Sequence, residues 1–175
     1  MKVNFKKLHP NAKMPEKAHD SDYGYDVYAV TDEEVAPNVW KYGLGFALQP
    51  IRDHELFDYQ ESICLLENNT SYINNIARHI DLSKSPINIG ISLRPRSSIY
   101  KTGMVLANSI GLGDINYTGQ YCAIFYHVLP DMPRYKVGDK IAQMHLNFTF
   151  PMELVEVEEL SETDRGIHGF GSTGK

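Results

Sequence analysis

Ser109-Ile110-Gly111-Leu112-Gly113-Asp114-Ile115-Asn116-Tyr117-Thr118-Gly119-Gln120-Tyr121 is the stretch around which this chain is organised. Its glycines permit tight turns and close approach of backbone to a ligand. Apolar runs flank it, Met104-Val105-Leu106-Ala107 before and Tyr121-Cys122-Ala123-Ile124-Phe125-Tyr126 after. The pattern predicts a β-hairpin with arms over 104–108 and 119–128. Its tip carries one carboxylate, Asp114, and one aromatic, Tyr117. Taken alone, such a tip reads as a plain turn, with Asp114 hydrogen-bonded to its own backbone and Tyr117 covering the hairpin. A functional reading depends on what else the chain contains.

Outward from the hairpin, short strands dominate. Residues 2–8 alternate like a first strand, and 9–22 form a polar loop holding Pro10 and Pro15. Residues 24–30 predict a second strand in which Asp26 is the odd member. Residues 33–36 and 39–48 follow, separated by Pro37-Asn38. The segment 87–94 alternates clearly with period two. The last strands are placed at 139–150 and 152–158, joined at Pro151. Many short strands spaced by Gly, Pro and Asn point to an all-β sandwich or barrel-like fold. Residues 51–86 are the exception. Tyr72, Ile73, Ile76, Ala77 and Ile80 recur at helical spacing, with Thr70 or Ser71 able to cap the start. Leu56, Tyr59, Ile63 and Leu66 hint at a second helical face. This segment reads as a partly helical subdomain inserted in a β scaffold.

Composition bounds the function. A length of 175 residues favours one domain, and 42% hydrophobic content supplies a core without staples. The net charge of −5 and the pI near 5.8 argue against nonspecific binding to a nucleic-acid backbone. A polyanionic small molecule stays open if positive groups are local. The two cysteines, Cys64 and Cys122, sit in apolar settings and read as small buried hydrophobes in a reducing, cytoplasmic compartment. The seven histidines show no zinc-site spacing. The N-terminus lacks the apolar core of a signal peptide, and no run approaches a membrane span.

Three further stretches can carry chemistry. The tail, Arg165-Gly166-Ile167-His168-Gly169-Phe170-Gly171-Ser172-Thr173-Gly174-Lys175, sets hydroxyls and cations among glycines. Its amides, hydroxyls and charges suit phosphate oxygens, and Phe170 suits stacking on a base. A frayed terminus is the competing reading. A P-loop is not the expected reading, because a P-loop needs a Ser or Thr directly after its Lys and a helix behind it. Arg96-Ser97-Ser98 after Pro95 is either a phosphate contact or the start of a turn or helix. In Gly138-Asp139-Lys140-Ile141-Ala142-Gln143-Met144, Gln143 breaks the apolar pattern. It either points at a ligand or is a satisfied polar residue of the core.

Five stretches, in order, resemble the trimeric dUTP diphosphatase (dUTPase) family: Asp22 to Ala29, Pro95 to Ser98, Asn108 to Gly119, Gly138 to Gln143, and Arg165 to Gly174. The resemblance spans nearly the whole chain. It implies a jelly-roll-like β fold, a β domain over 1–164 and a flexible lid over 165–175. It implies a homotrimer with sites shared between subunits, and hydrolysis of dUTP to dUMP and pyrophosphate with Mg²⁺. Carried over by position, Asp114 would activate the water that attacks the α-phosphorus. Tyr117 would pack on the deoxyribose and leave no room for a 2′-hydroxyl. Asn108, Gly111 and the hairpin backbone would read the uracil edge. Arg96, Ser97, Ser98 and Gln143 would contact phosphates, and Asp26 would support the metal indirectly. Arg165, Phe170, Gly171, Ser172 and Thr173 would form the lid, with Phe170 over the base. The sequence departs from the family at Gly113, where a large aliphatic residue is usual, at Tyr23, at Ser98 and at His168. The insertion at about 51–88 exceeds the family's short connection; it reads as a stabilising decoration or as a surface for a protein partner.

Two other readings stand beside hydrolysis. The related dCTP deaminases need a glutamate proton shuttle on the strand after the hairpin, and Ile124 occupies that position here. A regulatory protein on the same scaffold would use the insertion for its partner; an intact Asp114 argues against that being its only role.

Overall fold

The computed structural model describes residues 2–50, 88–150, 152–163 and 166–167. Ten strands run in the order β1 (Val3–Lys7), β2 (Tyr25–Tyr28), β3 (Thr31–Ala36), β4 (Val39–Gly43), β5 (Phe46–Pro50), β6 (Asn88–Pro95), β7 (Met104–Leu106), β8 (Gly111–Asp114), β9 (Cys122–His127) and β10 (Lys140–Thr149). One 3₁₀ turn, Ser97–Lys101, follows β6. The described residues contain no α-helix. The all-β expectation holds. The helix expected within 51–86, the decoration or partner surface built on it, and the lid residues Arg165, Phe170, Gly171, Ser172 and Thr173 lie outside the described residues.

The strands form two four-stranded sheets, ordered β2-β10-β6-β8 and β3-β4-β9-β7, with a small β1-β5 sheet beside them. Every pairing is antiparallel. One cluster of buried side chains draws on both large sheets: Val27, Ile91, Leu93, Ile141 and Met144 from the first, Tyr42, Leu106, Ala123 and Phe125 from the second. Fully burying a side chain such as Phe125 contributes roughly 1.5–3 kcal/mol. The Tyr42 ring meets Phe125 edge-on at 5.8 Å and its hydroxyl donates to the Tyr135 carbonyl at 2.9 Å, so its polar end is satisfied inside the core. In β6 the apolar period is as the sequence predicts, yet Ser92 on the opposite face is buried too. This strand is central, flanked by β10 and β8, and the Ser92 hydroxyl is paired with the Asn147 amide.

Two expectations need correction. The arms of the predicted hairpin do pair, Met104 with His127 and Leu106 with Phe125. Between them, however, the chain does not make a simple tip. Ser109 adopts a left-handed φ of 59°, the chain crosses to the other sheet, and β8 adds to β6 with Gly111 opposite Leu93 and Asp114 opposite Gly90. The second correction is at 152–158, which is not a strand. Met152, Leu154, Val155 and Val157 alternate with polar residues in part, but all are exposed. Alternation marks a strand only where an edge accepts it, and no described strand pairs there.

Candidate active site

A cleft of about 550 Å³ opens where β8 crosses between the sheets. Asn108, Gly111, Gly113, Asp114, Tyr117 and Tyr121 line it, with Ile91 and Leu93 of β6 behind them and Lys41, Gln120 and Cys122 at its side. Along β8 the burial alternates, with Gly111 and Gly113 inward and Leu112 and Asp114 outward. The two glycines give the cleft a floor of bare backbone. The Asp114 carboxylate, at the end of β8, is exposed, and among the described residues no side chain pairs with it. A turn closed by the Tyr117 amide on the Asp114 carbonyl, at 3.0 Å, sets the two residues side by side. The Tyr117 ring then lies over Gly119, where a Cβ would fall 2.7 Å from its hydroxyl, and that hydroxyl donates to the Gln120 carbonyl at 2.8 Å. The ring is thereby tethered at the mouth of the cleft, where it stays partly exposed. Asp114 and Tyr117 are more than turn decoration: they form one wall of a pocket.

A second cluster lies elsewhere. Asp26 on β2 is buried, 2% exposed, and both of its carboxylate oxygens are used. Oδ1 accepts from Arg96 Nε and from Gln143 Nε2, each at 3.1 Å, and Oδ2 accepts from Lys140 Nζ at 2.9 Å. Burial pushes the Asp26 carboxyl up, but the bonds from Lys140 and Gln143 and the charges of Arg96 and Lys140 outweigh it and hold the group below its usual value. The bond to Asp26 in turn holds the Lys140 ammonium above its usual value. Asp26 therefore anchors cations and turns no oxygen toward a metal. Ser97 is exposed and Ser98 half-buried on the 3₁₀ turn beside Arg96. Lys140 is the member that sequence reasoning missed. Residues three apart in a strand face opposite sides, but β10 shifts register between Lys140 and Ala142, and that irregularity brings Lys140 and Gln143 to the same carboxylate.

Asp114 and Arg96 stand toward opposite ends of β6. Asp114 is opposite Gly90, whereas Arg96 follows the last residue of the strand. Six residues of extended chain separate them, roughly 20 Å at about 3.3 Å per residue. Ile124, the position a deaminase would fill with glutamate, does not line the cleft.

A sequence profile of the dUTPase family matches residues 62–174. The chain belongs to the dUTPase family. It is 30% identical over 175 residues to the deoxyuridine 5′-triphosphate nucleotidohydrolase of Helicobacter pylori (strain ATCC 700392 / 26695), with 99% of this chain and 97% of that one covered. The enzyme of the same name from Clostridium tetani (strain Massachusetts / E88) is 30% identical over 174 residues, with 99% and 97% covered. Among solved structures, the Staphylococcus bacteriophage 80alpha dUTPase with dUPNHPP superposes with a TM-score of 0.67 at 20% identity, covering 99% of each chain. A mutant dUTPase of phage phi11 of S. aureus, whose structure concerns coordination of a structural Mg(II) ion, gives a TM-score of 0.59 at 18% identity, covering 91% of this chain and 98% of the other. The two phage structures support the family's β fold. Among the described residues no helix is long and apolar enough to cross a membrane.

Proposed function

We propose that this family member hydrolyses dUTP to dUMP and pyrophosphate in a homotrimer whose sites lie between subunits. The observation that carries the reading is the cleft that unites Asn108, Asp114 and Tyr117 on one crossing segment of a dUTPase-family chain. In it, Asn108 and the β8 backbone take the uracil edge, and Tyr117 packs on the deoxyribose where a 2′-hydroxyl would collide. The Asp114 carboxylate accepts a proton from water as the water oxygen bonds to the α-phosphorus. The bond from that phosphorus to the oxygen bridging to the β-phosphorus breaks, and pyrophosphate leaves. A positioned carboxylate of this kind supplies roughly 10²–10⁴ in rate.

The phosphates need positive charge at their oxygens more than covalent help. Arg96 provides it, the Ser97 and Ser98 hydroxyls and the Gln143 amide add neutral hydrogen-bond donors, and Asp26 fixes the Arg96 and Gln143 side chains. One protomer cannot bring this group to its own Asp114 across the length of β6. A neighbouring protomer can, which is the physical case for shared sites. The tail residues Arg165, Phe170, Gly171, Ser172 and Thr173 complete the reading as a lid that excludes bulk water.

Mg²⁺ belongs to the same proposal. Among the described residues no group of three or more metal-ligating side chains gathers. In this reading the cation would be carried by phosphate oxygens and water rather than caged by protein, with Asp26 supporting it indirectly through that phosphate and water shell. When bound, the ion would neutralise charge on the triphosphate. A reducing, cytoplasmic setting is consistent with the free thiol of Cys122. Pyrophosphate release from dUTP, dCTP, dTTP and UTP tests the activity. dUTP should be turned over with Mg²⁺ and the others much more poorly. Equal rates on UTP and dUTP would remove Tyr117 as the sugar discriminator.

A further inference from the structure

Tyr121 is the buried residue of the cleft whose chemistry the mechanism leaves unused. It is only 6% exposed, and its hydroxyl oxygen is buried with no hydrogen-bond partner among the described residues. Its backbone is pinned, with its amide on the Phe46 carbonyl at 3.0 Å and its carbonyl accepting from the Leu44 amide at 2.9 Å. Its ring is clamped between Phe46, stacked at 6.2 Å, and Tyr117, edge-on at 5.4 Å. The side chain therefore has one place to go, across the face of Gly113. A Cβ at 113 would fall 2.6 Å from Tyr121 Cε1 and 2.8 Å from its hydroxyl oxygen. The hydroxyl occupies the space that any other residue at 113 would fill with its own side chain.

We propose that the Tyr121 hydroxyl is a hydrogen-bonding contact to the bound pyrimidine deoxynucleoside, and that the bare backbone of Gly113 is what admits it to the cleft. The inference rests on the nucleotide reading given above. Asn108 stands over Gly111, its Nδ2 3.4 Å from where a Cβ would be, and Tyr121 stands over Gly113. Two residues of strand set these polar groups roughly 7 Å apart along the floor. That is the span of a nucleoside from the edge of its base to its sugar. The Tyr117 hydroxyl is already engaged by the Gln120 carbonyl, so at the sugar end the free phenol is that of Tyr121. Burial pushes the Tyr121 hydroxyl up from its usual value, so at neutral pH it keeps its proton and can donate. A buried polar group without a partner is costly in the empty protein, and a ligand that supplies the partner gains by it.

Steady-state kinetics on dUTP with the wild-type protein and Tyr121→Phe, with melting curves alongside, test the assignment. Loss of one neutral hydrogen bond made equally in ground and transition states should raise KM about three- to tenfold, with kcat within about twofold. The variant should melt no lower than the wild type, because the hydroxyl has no partner among the described residues to lose. An unchanged KM overturns the proposal, whatever the melting temperature does. Gly113→Ala is the second arm. It displaces the hydroxyl without removing it, so KM should rise here too; an unchanged KM for this variant also overturns the proposal, even if Tyr121→Phe does not fold. A wild-type protein without activity on dUTP would fail the function itself. An active wild type with indifferent variants would fail only the role of Tyr121.

Discussion

The separation of the two clusters along β6 has a quantitative consequence for mixed assemblies. In the proposed mechanism Asp114→Asn removes the group that activates water, and Arg96→Ala removes a phosphate cation while leaving Asp26 its bonds from Lys140 and Gln143. Each variant alone should be nearly inactive. In the proposed trimer, the distance of roughly 20 Å between the two positions in one protomer would have each site draw Asp114 from one subunit and Arg96 from another. Co-refolding the variants in equal amounts gives random trimers. A site is intact when its Asp114 comes from an Arg96→Ala subunit and its Arg96 from an Asp114→Asn subunit. Each condition holds half the time, so about one site in four is whole, and activity per protomer should recover to about a quarter of wild type. Pyrophosphate release measured across mixing ratios should peak at equal amounts and fall symmetrically on either side. Sedimentation of each variant checks that trimers form. A mixture no more active than the sum of its parts would show that one protomer builds the whole site, and the argument from β6 would be wrong.

Other perturbations separate stability from catalysis. Asp26→Asn leaves two cations facing a neutral amide, which should cost about 2–4 kcal/mol given that Arg96 and Lys140 remain partly solvated. Because the folded carboxyl is held below its unfolded value, its contribution is present above the unfolded pKa near 3.8 and is lost as pH falls through the lower folded value. Thermal melts of wild type and variant should therefore differ at pH 7 and converge in strong acid; a gap that persists at the lowest accessible pH contradicts this. Truncation before Arg165 should abolish most turnover while moving the melting temperature little, as calorimetry and the pyrophosphate assay together would show. Replacing 51–86 by a short Gly-Ser turn should lower stability yet leave dUTP turnover in the soluble trimer; a folded trimer without turnover would assign that segment to the site.

Much of the scaffold was legible from period and punctuation. The alternation in 87–94 and 139–150, the turn at Pro37-Asn38 and the pairing of the hairpin arms all follow from local rules, because a half-buried strand imposes its period of two directly on the residues. The residue types of the proposed site stand out in the sequence as well, since Asp114, Tyr117, Arg96 and Gln143 each interrupt or follow an apolar run. What the chain does with them depended on contacts between distant segments. The left-handed turn at Ser109 sends β8 to the opposite sheet, and a period-two pattern reads the same in either sheet. The shift of register in β10 recruits Lys140, which strict alternation would place on the face opposite Gln143. The alternation in 152–158 was present without the edge that would make it a strand.

Gly113 shows the division most plainly. By sequence it was a departure from the large aliphatic residue usual in the family. In the fold its missing side chain is the space taken by the Tyr121 ring, eight residues on. Local sequence determined which residues are polar, apolar or permissive, because those properties belong to each residue and its neighbours. Which polar atom lies in which cavity, and how far Arg96 stands from Asp114, was decided by the pairing of strands remote in the chain.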